Sequence, residues 1–340
     1  MPTRRTWGEF LKPLAVVISD QHWTRKSYKT ADSAFRMAID KAAELGVPLI
    51  DCGDIHTDKS SLNADYLNPL VKALQYAGSK TVKVYVLIGN HNLTHERSDD
   101  HALHVLKPYC ELVDKPGVTG EFNFIPYQHS ADKFLEEVYK FPEGSIIFGH
   151  QGTIGGQLGD YVKDPASFDP DKVSKYLIWL GHFHGSYKLG TTVSVGTPYT
   201  QSFGEANDAP KGFLIVNEDG SYERVLTNLR KHVTVERHVS TLLDPIPNLQ
   251  PHDLLWIKVT GPRSVLEQLK KRDIGMHHLG HLSFKLDKVY TDDAPLPSSL
   301  PTDAPPSTLL DSLIDNLDET SPVKSYLKDL WREATSESLS

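Results

Sequence analysis

Seven side chains able to hold divalent cations recur in this 340-residue chain in one kind of setting, mostly directly after a run of apolar residues. They fall in five clusters: Asp20-Gln21-His22, Gly53-Asp54, Gly89-Asn90-His91, Gly149-His150 and Gly181-His182-Phe183-His184. Carboxylate oxygen, amide oxygen and imidazole nitrogen, with no thiolate, suit ions that activate water against a phosphate ester. Asp20, His22, Asp54, Asn90, His150, His182 and His184 suffice for two five- or six-coordinate ions that share one carboxylate and keep positions open for solvent and substrate. Such ions, roughly 3.5–4 Å apart, supply a nucleophile at neutral pH and clamp a phosphoryl oxygen. Any one of these histidines alone reads as an ordinary hydrogen-bonded residue. Their joint recurrence at strand ends favours metal.

The elements that must position them are legible from periodicity. Residues 85–92, Tyr-Val-Leu-Ile-Gly-Asn-His-Asn, read as a buried strand ending in a turn, where glycine lets the backbone bend so that Asn90 and His91 reach one pocket. Residues 14–19 form the first apolar, β-branched strand, and Asp20 and His22, one residue apart on extended backbone, are expected to project to the same side. Residues 30–45 carry Ala34, Met37, Ala38, Ala42 and Leu45 at helical spacing and stop at Gly46. A strand over 47–51, a helix over 61–77 closed by Gly78 and a strand over 82–88 follow, an order that predicts parallel βαβ units. From residue 122 on, strands are predicted at 122–126, 146–149, 176–180, 192–195, 212–217 and 222–226, with a helix at 131–139 and a tight hairpin turn at Asp219-Gly220. These segments suggest a second sheet packed on the first, so the expected fold class is α/β, a two-layer β-sandwich flanked by helices.

Residues 1–230 are therefore taken as the catalytic domain. Residues 231–290 read as a small αβ unit, with strand, helix and strand at 254–260, 262–271 and 282–289. Residues 291–307, with Pro295, Pro297, Pro301, Pro305 and Pro306, read as an extended linker, and residues 308–340 as a tail of two amphipathic helices that docks on something else. The net charge of −8 is concentrated there: residues 290–340 hold ten acidic and three basic side chains, which leaves the rest of the chain near neutral. Local basic groups, among them Arg25, Lys26, Arg230 and Lys231, can then meet phosphates, although each cluster alone reads as a solvated face. No apolar run approaches the ~18–20 residues needed to span a bilayer, and the first residues lack the apolar middle of a secretory signal. A cytoplasmic protein without membrane contact is expected. Cys52 and Cys110 read as buried thiols, and His101, His104, His129, His232, His238, His252, His277, His278 and His281 as core or surface residues.

At the five clusters the sequence resembles the calcineurin-like metallophosphoesterases, whose blocks Asp-x-His, Gly-Asp, Gly-Asn-His, a lone His and Gly-His-x-His occur here in order within residues 14–230. The resemblance implies one ion held by Asp20, His22 and His184, a second by Asn90, His150 and His182, and Asp54 bridging them. It makes His91 a non-ligand acid that protonates or stabilises the leaving oxygen. Asn92 stands where the family commonly has Asp or Glu, a departure that bears on how His91 is oriented. His56 lies near the position of a further active-site histidine in relatives, with its spacing from Asp54 short by one.

Val195-Gly-Thr-Pro-Tyr-Thr-Gln-Ser-Phe-Gly-Glu205, leading to Lys211-Gly212-Phe213, is similar to the segment after the last histidines of the SbcD nucleases, the Mre-eleven family of double-strand-break repair. This implies Mn²⁺-dependent exonuclease and single-strand endonuclease action on DNA, with Mg²⁺ as the other candidate ion. It also implies a cap that positions DNA, a homodimer, and a C-terminal helical element that docks on an SbcC-type, SMC-like ATPase. The competing readings are a small-molecule phosphodiesterase or phosphoprotein phosphatase, and a catalytically weak scaffold whose sole sequence support is Asn92.

Overall fold

The computed structural model describes residues 12–59, 61–95, 98–156, 164–271, 274, 278 and 284–291. The linker and tail expected beyond residue 291, together with His277 and His281, lie outside them. The described residues divide into two compact units. One runs to Thr234 and takes in Asn248–Leu255, and the other comprises Val235–Pro247 and the residues from Trp256 on.

The first unit begins β1 (Pro13–Ile18), α1 (Tyr28–Leu45), β2 (Leu49–Asp51), α2 (Ala64–Ser79), β3 (Val84–Leu87), β4 (Glu111–Val113). It continues β5 (Gly117–Thr119), β6 (Phe122–Ile125), α3 (Ala131–Val138), β7 (Ile146–His150), β8 (Leu177–Gly181), β9 (Tyr187–Leu189), β10 (Thr192–Ser194), β11 (Gly212–Asn217), β12 (Tyr222–Leu226). One six-stranded sheet has the order β12-β11-β1-β2-β3-β4 and the other β5-β6-β7-β8-β10-β9. Strands β1 to β4 pair in parallel, as do β6, β7 and β8.

Alternation along β1 builds two core layers at once. Ala15 and Val17 join Phe124, Phe148 and Trp179 between the sheets, whereas Val16 and Ile18 pack against α1 and α2. Ala31, Ala34, Phe35, Ala38, Ile39 and Ala42 form the buried stripe of α1, and its small residues let the helix lie close to the sheet. Gly46 ends α1 at φ 67°, in the left-handed region. A third cluster, with Phe134, Phe168 and Ile178, covers the outer face of the second sheet. The fold class is thus the expected helix-flanked α/β sandwich.

The strands at 212–217 and 222–226 correct one expectation, because they belong to the first sheet. β11 pairs antiparallel with β1, Val16 opposite Ile215, and β12 closes that edge through a hairpin whose turn is Asp219-Gly220. β11 can lie inside the sheet because most of its residues are buried, while no residue of β12 is fully buried, as at an edge. Strands β4, β5 and β9 span three residues each, too few for a period to show in the sequence.

The second unit is built on a three-stranded sheet, β13 (His232–His238), β14 (Leu254–Gly261) and β15 (Lys285–Tyr290), with α4 (Arg263–Leu266) between the last two. No helix among the described residues is long and apolar enough to cross a membrane.

Phe148 is fully buried between the sheets, with its ring 5.8–6.1 Å from those of Phe122, Phe124 and Trp179, two residues before His150. Phe148→Ala is expected to lower stability by about 3–5 kcal/mol, read from the urea unfolding midpoint.

Candidate metal centre

Every donor lies at the carboxyl end of a parallel strand: Asp20 after β1, Asp54 after β2, Asn90 after β3, His150 at the end of β7 and His182 just past β8. That is where open α/β sheets leave a crevice. Asp20 and His22 are not on extended backbone, as the sequence suggested. Both have left-handed φ, 51° and 47°, and their N–H groups donate to the carbonyls of Gly53 and Asp54. Two left-handed residues in one loop, rather than strand alternation, turn both side chains to the site. Asp54 (φ 55°) and His182 (φ 99°) share this strain, which costs about 1–3 kcal/mol per residue and marks functional sites.

Gly89 has a different reason from the one the sequence suggested. Its φ of −99° and ψ of 175° are open to any residue. Glycine is required because a β-carbon there would run into Asp54 Oδ1 and the Asp54 backbone nitrogen. A β-carbon on Gly181 would meet Ser19 Oγ and the Cys52 carbonyl in the same way. The glycines of the motif make room for the donors.

The seven predicted donors come together as two groups. Asp20, His22 and His184 form one, with donor atoms within 4.8 Å of one another and the Nε2 atoms of His22 and His184 3.2 Å apart. Asp54, His150 and His182 form the other. Asn90 Oδ1 joins it, 3.1 Å from His150 Nε2 and 2.9 Å from His182 Nδ1. Asp54 Oδ2 lies between the groups, 3.3 Å from His150 Nε2 and 4.0 Å from His22 Nε2.

The far nitrogen of each imidazole faces an oxygen. His150 Nδ1 donates to the Cys52 carbonyl at 2.7 Å, and His184 Nδ1 to Glu205 Oε1 at 2.9 Å. His22 Nδ1 lies 3.0 Å from Thr57 Oγ1, and His182 Nε2 faces Asp164 Oδ2 at 3.4 Å. Such partners orient a ligating imidazole and choose its tautomer. A carbonyl only accepts, so His150 must carry its proton on Nδ1, and its Nε2 lone pair then faces Asp54 and Asn90 oxygens. Lone pairs converging in a buried space repel unless a proton or a cation lies among them.

The electrostatics show the proton filling that role. Burial alone would push the His150 imidazole down, but the Asp54 carboxylate beside it holds it up at about 9. Burial pushes His22 down to about 3, outweighing Asp54, and raises Asp20. Burial disfavours the charged form of Glu205, yet its bonds with His184 and Lys211 hold it at about 2, so it stays ionised. Oxygen and nitrogen donors with oriented imidazoles and a shared carboxylate fit a pair of divalent ions.

His91 lies at the edge of the donor set. Its ring is half-buried and edge-on to His22 with centroids 4.9 Å apart, and its backbone N–H donates to Asp54 Oδ1 at 2.8 Å. Asn92 does not orient that ring. It is fully buried, its Oδ1 accepts from the N–H groups of Asp54 and Gly89, and its Nδ2 donates to the His56 carbonyl. Asn92 is a clamp that ties the second and third motif loops together. His56 is not brought into the donor set: its fully buried ring stacks on Tyr66, and both ring nitrogens lack hydrogen-bond partners. His101 and His104, which the sequence leaves as ordinary residues, lie with Asp114 in a third group of donors, where Lys107 already approaches Asp114 at 3.6 Å.

Sequence reasoning missed the orienting residues Thr57, Asp164 and Glu205. Only Glu205 carried a signal, since it lies in the segment from Val195. That segment proves to be a brace: Tyr199 OH donates to the Gln21 carbonyl, Gln201 Nε2 to the Asp20 carbonyl, and Glu205 accepts from His184. Gly89→Ala is expected to displace Asp54, cost about 1–3 kcal/mol and weaken divalent-ion binding in calorimetry. Gly78→Ala, where a β-carbon meets nothing, should leave both unchanged or raise stability by up to about 1 kcal/mol.

No family model matches the chain. It is 24% identical to Exonuclease subunit 1 of Enterobacteria phage T4, with 62% of this chain aligned to 64% of that protein. It is 27% identical to the DNA double-strand break repair protein Mre11 of Methanocaldococcus jannaschii, with 61% of this chain aligned to 63% of that protein. The chain thus spans less than two thirds of the length of either relative. With five motif blocks in order, the helix-flanked sandwich that carries them and these two relatives, the chain resembles the metallophosphoesterases of the SbcD and Mre-eleven type.

Proposed function

We propose that the protein is a two-metal phosphodiesterase acting on DNA, a nuclease of double-strand-break processing. The observation that carries this reading is the convergence of seven nitrogen and oxygen donors on two adjacent positions that share Asp54. Asp20, His22 and His184 hold one ion, Asn90, His150 and His182 the other. The four imidazoles favour Mn²⁺ over Mg²⁺, which prefers oxygen. Bound there, the ions supply a water nucleophile at neutral pH and neutralise charge on the phosphoryl oxygens.

The chain's own part is to hold, orient and protonate. Glu205, Asp164, Thr57 and the Cys52 carbonyl keep the imidazoles turned inward. Asp54 is fixed by the His91 backbone N–H and so stays between the two groups. The His91 side chain, at the rim, gives a proton to the departing sugar oxygen. Small-molecule phosphodiester or phosphoprotein hydrolysis is the runner-up, since the donor set alone does not select the ester. The two relatives, named for exonuclease and break-repair roles, favour DNA.

The full chain, stripped and reloaded with Mn²⁺ or Mg²⁺, is expected to cleave labelled duplex, hairpin or single-stranded DNA with preference for Mn²⁺. Faster turnover of cyclic nucleotides or phosphopeptides would replace this reading by the runner-up. His91→Ser should retain two ions per chain by elemental analysis and lose about 10²–10⁴-fold in cleavage rate. A variant that cleaves like its parent removes the acid role.

Two further parts of the proposal concern assembly in the cytoplasm. Residues 231–290 position DNA for the catalytic domain, which pairs as a homodimer, and residues 308–340 dock on an SbcC-type, SMC-like ATPase. Deleting residues 291–340 should spare hydrolysis of a small aryl phosphodiester and abolish capture of that ATPase in a pull-down. Retained capture refutes the docking role.

A further inference from the structure

A cavity of about 280 Å³ opens beside His22, and Lys26, Gln201 and Arg230 are among its lining residues. A second cavity, of about 330 Å³, shares Tyr199, Thr200, Arg230 and His232 with it and extends along Asn228 and Lys231. The two together form a path that starts at a metal-type donor and continues past a guanidinium. An isolated phosphate needs no such extension; a chain of them does.

Of the cations that line the two cavities, Lys26 and Lys231 are exposed, whereas Arg230 is half-buried. Lys211 lies between Glu205 and Asp208 at 3.1 and 2.7 Å, and Arg36 pairs with Asp32 at 2.9 Å. Arg230 has no carboxylate partner among the described residues, and its Nε is shielded from solvent without a hydrogen bond. Glu205, the neighbouring carboxylate, is already engaged by His184, Lys211 and the Gln201 N–H. An Nε–H shielded from water without an acceptor is unfavourable, and the planar fork to which it belongs matches a phosphate. The position is also indexed to the site. Tyr199, on the shared wall, and Gln201, in the cavity beside His22, bond to the backbone of Gln21 and Asp20.

We infer that Arg230 binds a second phosphate, the one flanking the scissile phosphodiester on the His22 side, so that the site selects a polynucleotide over an isolated phosphodiester. The nature of the polymer rests on the nuclease reading above. Arg230 is a positioning residue here, since it touches the substrate away from the reacting atoms.

The test compares the parent, Arg230→Ala and Arg230→Lys as full chains loaded with Mn²⁺, on a single-stranded oligonucleotide and on a small aryl phosphodiester. Arg230→Ala is expected to raise KM for the oligonucleotide by at least about tenfold and leave the aryl reaction within twofold. The slope of log KM against log salt should fall by about 0.7. Arg230→Lys, which keeps the charge without the fork, should recover part of the loss. Binding of the labelled oligonucleotide with Ca²⁺ in place of Mn²⁺, followed by anisotropy, reads the same contact without catalysis. Equal losses on both substrates would make Arg230 structural and overturn the inference, as would oligonucleotide binding unchanged in Arg230→Ala. If the parent binds oligonucleotide through Arg230 but does not cleave it, the nuclease reading fails and the phosphate seat stands. A parent that neither binds nor cleaves overturns both.

Discussion

A buried carboxylate shared by two sets of inward-facing imidazoles is the constraint on which the rest of this structure depends. Asp54 Oδ2 lies within 3.3 Å of one ring nitrogen and 4.0 Å of another, with an amide oxygen and a second carboxylate close by. Lone pairs crowded in this way repel, and burial removes the water that would screen them. The metal-free state answers with a proton on His150, whose imidazole is held at about 9. An ion pair is the more complete answer, because it satisfies all the donors at once.

Much of the first unit can be understood as what keeps those donors from relaxing apart. Glycines at the motif positions leave space where a methyl group would collide with a donor or its support. Four donors accept left-handed backbone, and the surrounding loops hold them there through hydrogen bonds such as Asp20 N–H to Gly53 and His22 N–H to Asp54. Asn92 and the 195–205 segment act from outside, one by clamping two loops together and the other by bracing the Asp20 loop and His184. Strain paid at the centre is offset by three apolar layers beneath it.

The electrostatic setting reconciles an acidic chain with the polyanionic substrate proposed for it. Most of the net negative charge lies in residues 290–340, so the rest of the chain taken together is close to neutral. Some of its cations, such as Lys211 and Arg36, are compensated by local carboxylates, which weakens their attraction for phosphate. Recognition then depends on individual placed groups near the donors. Arg230, in the cavities beside His22, is such a group.

The sequence by itself determined the helix-flanked α/β class, the parallel order of the first strands and which seven candidate donors the fold brings together. Those are local properties: apolar runs of period two, helices of period 3.6 and ligand-type residues at strand ends. Tertiary structure decided the rest. It moved β11 and β12 into the first sheet, since a strand's neighbours depend on pairing across the chain. It left His56 stacked on Tyr66, although it lies near the position of a further active-site histidine in relatives. It gave Gly89 a steric purpose that φ and ψ alone do not reveal. It also chose the orienting acceptors, pairing His22 with Thr57 35 positions away and His150 with the Cys52 carbonyl 98 positions away. A hydrogen bond depends on separation in space, and no period along the chain records which residue will face which across a folded sheet.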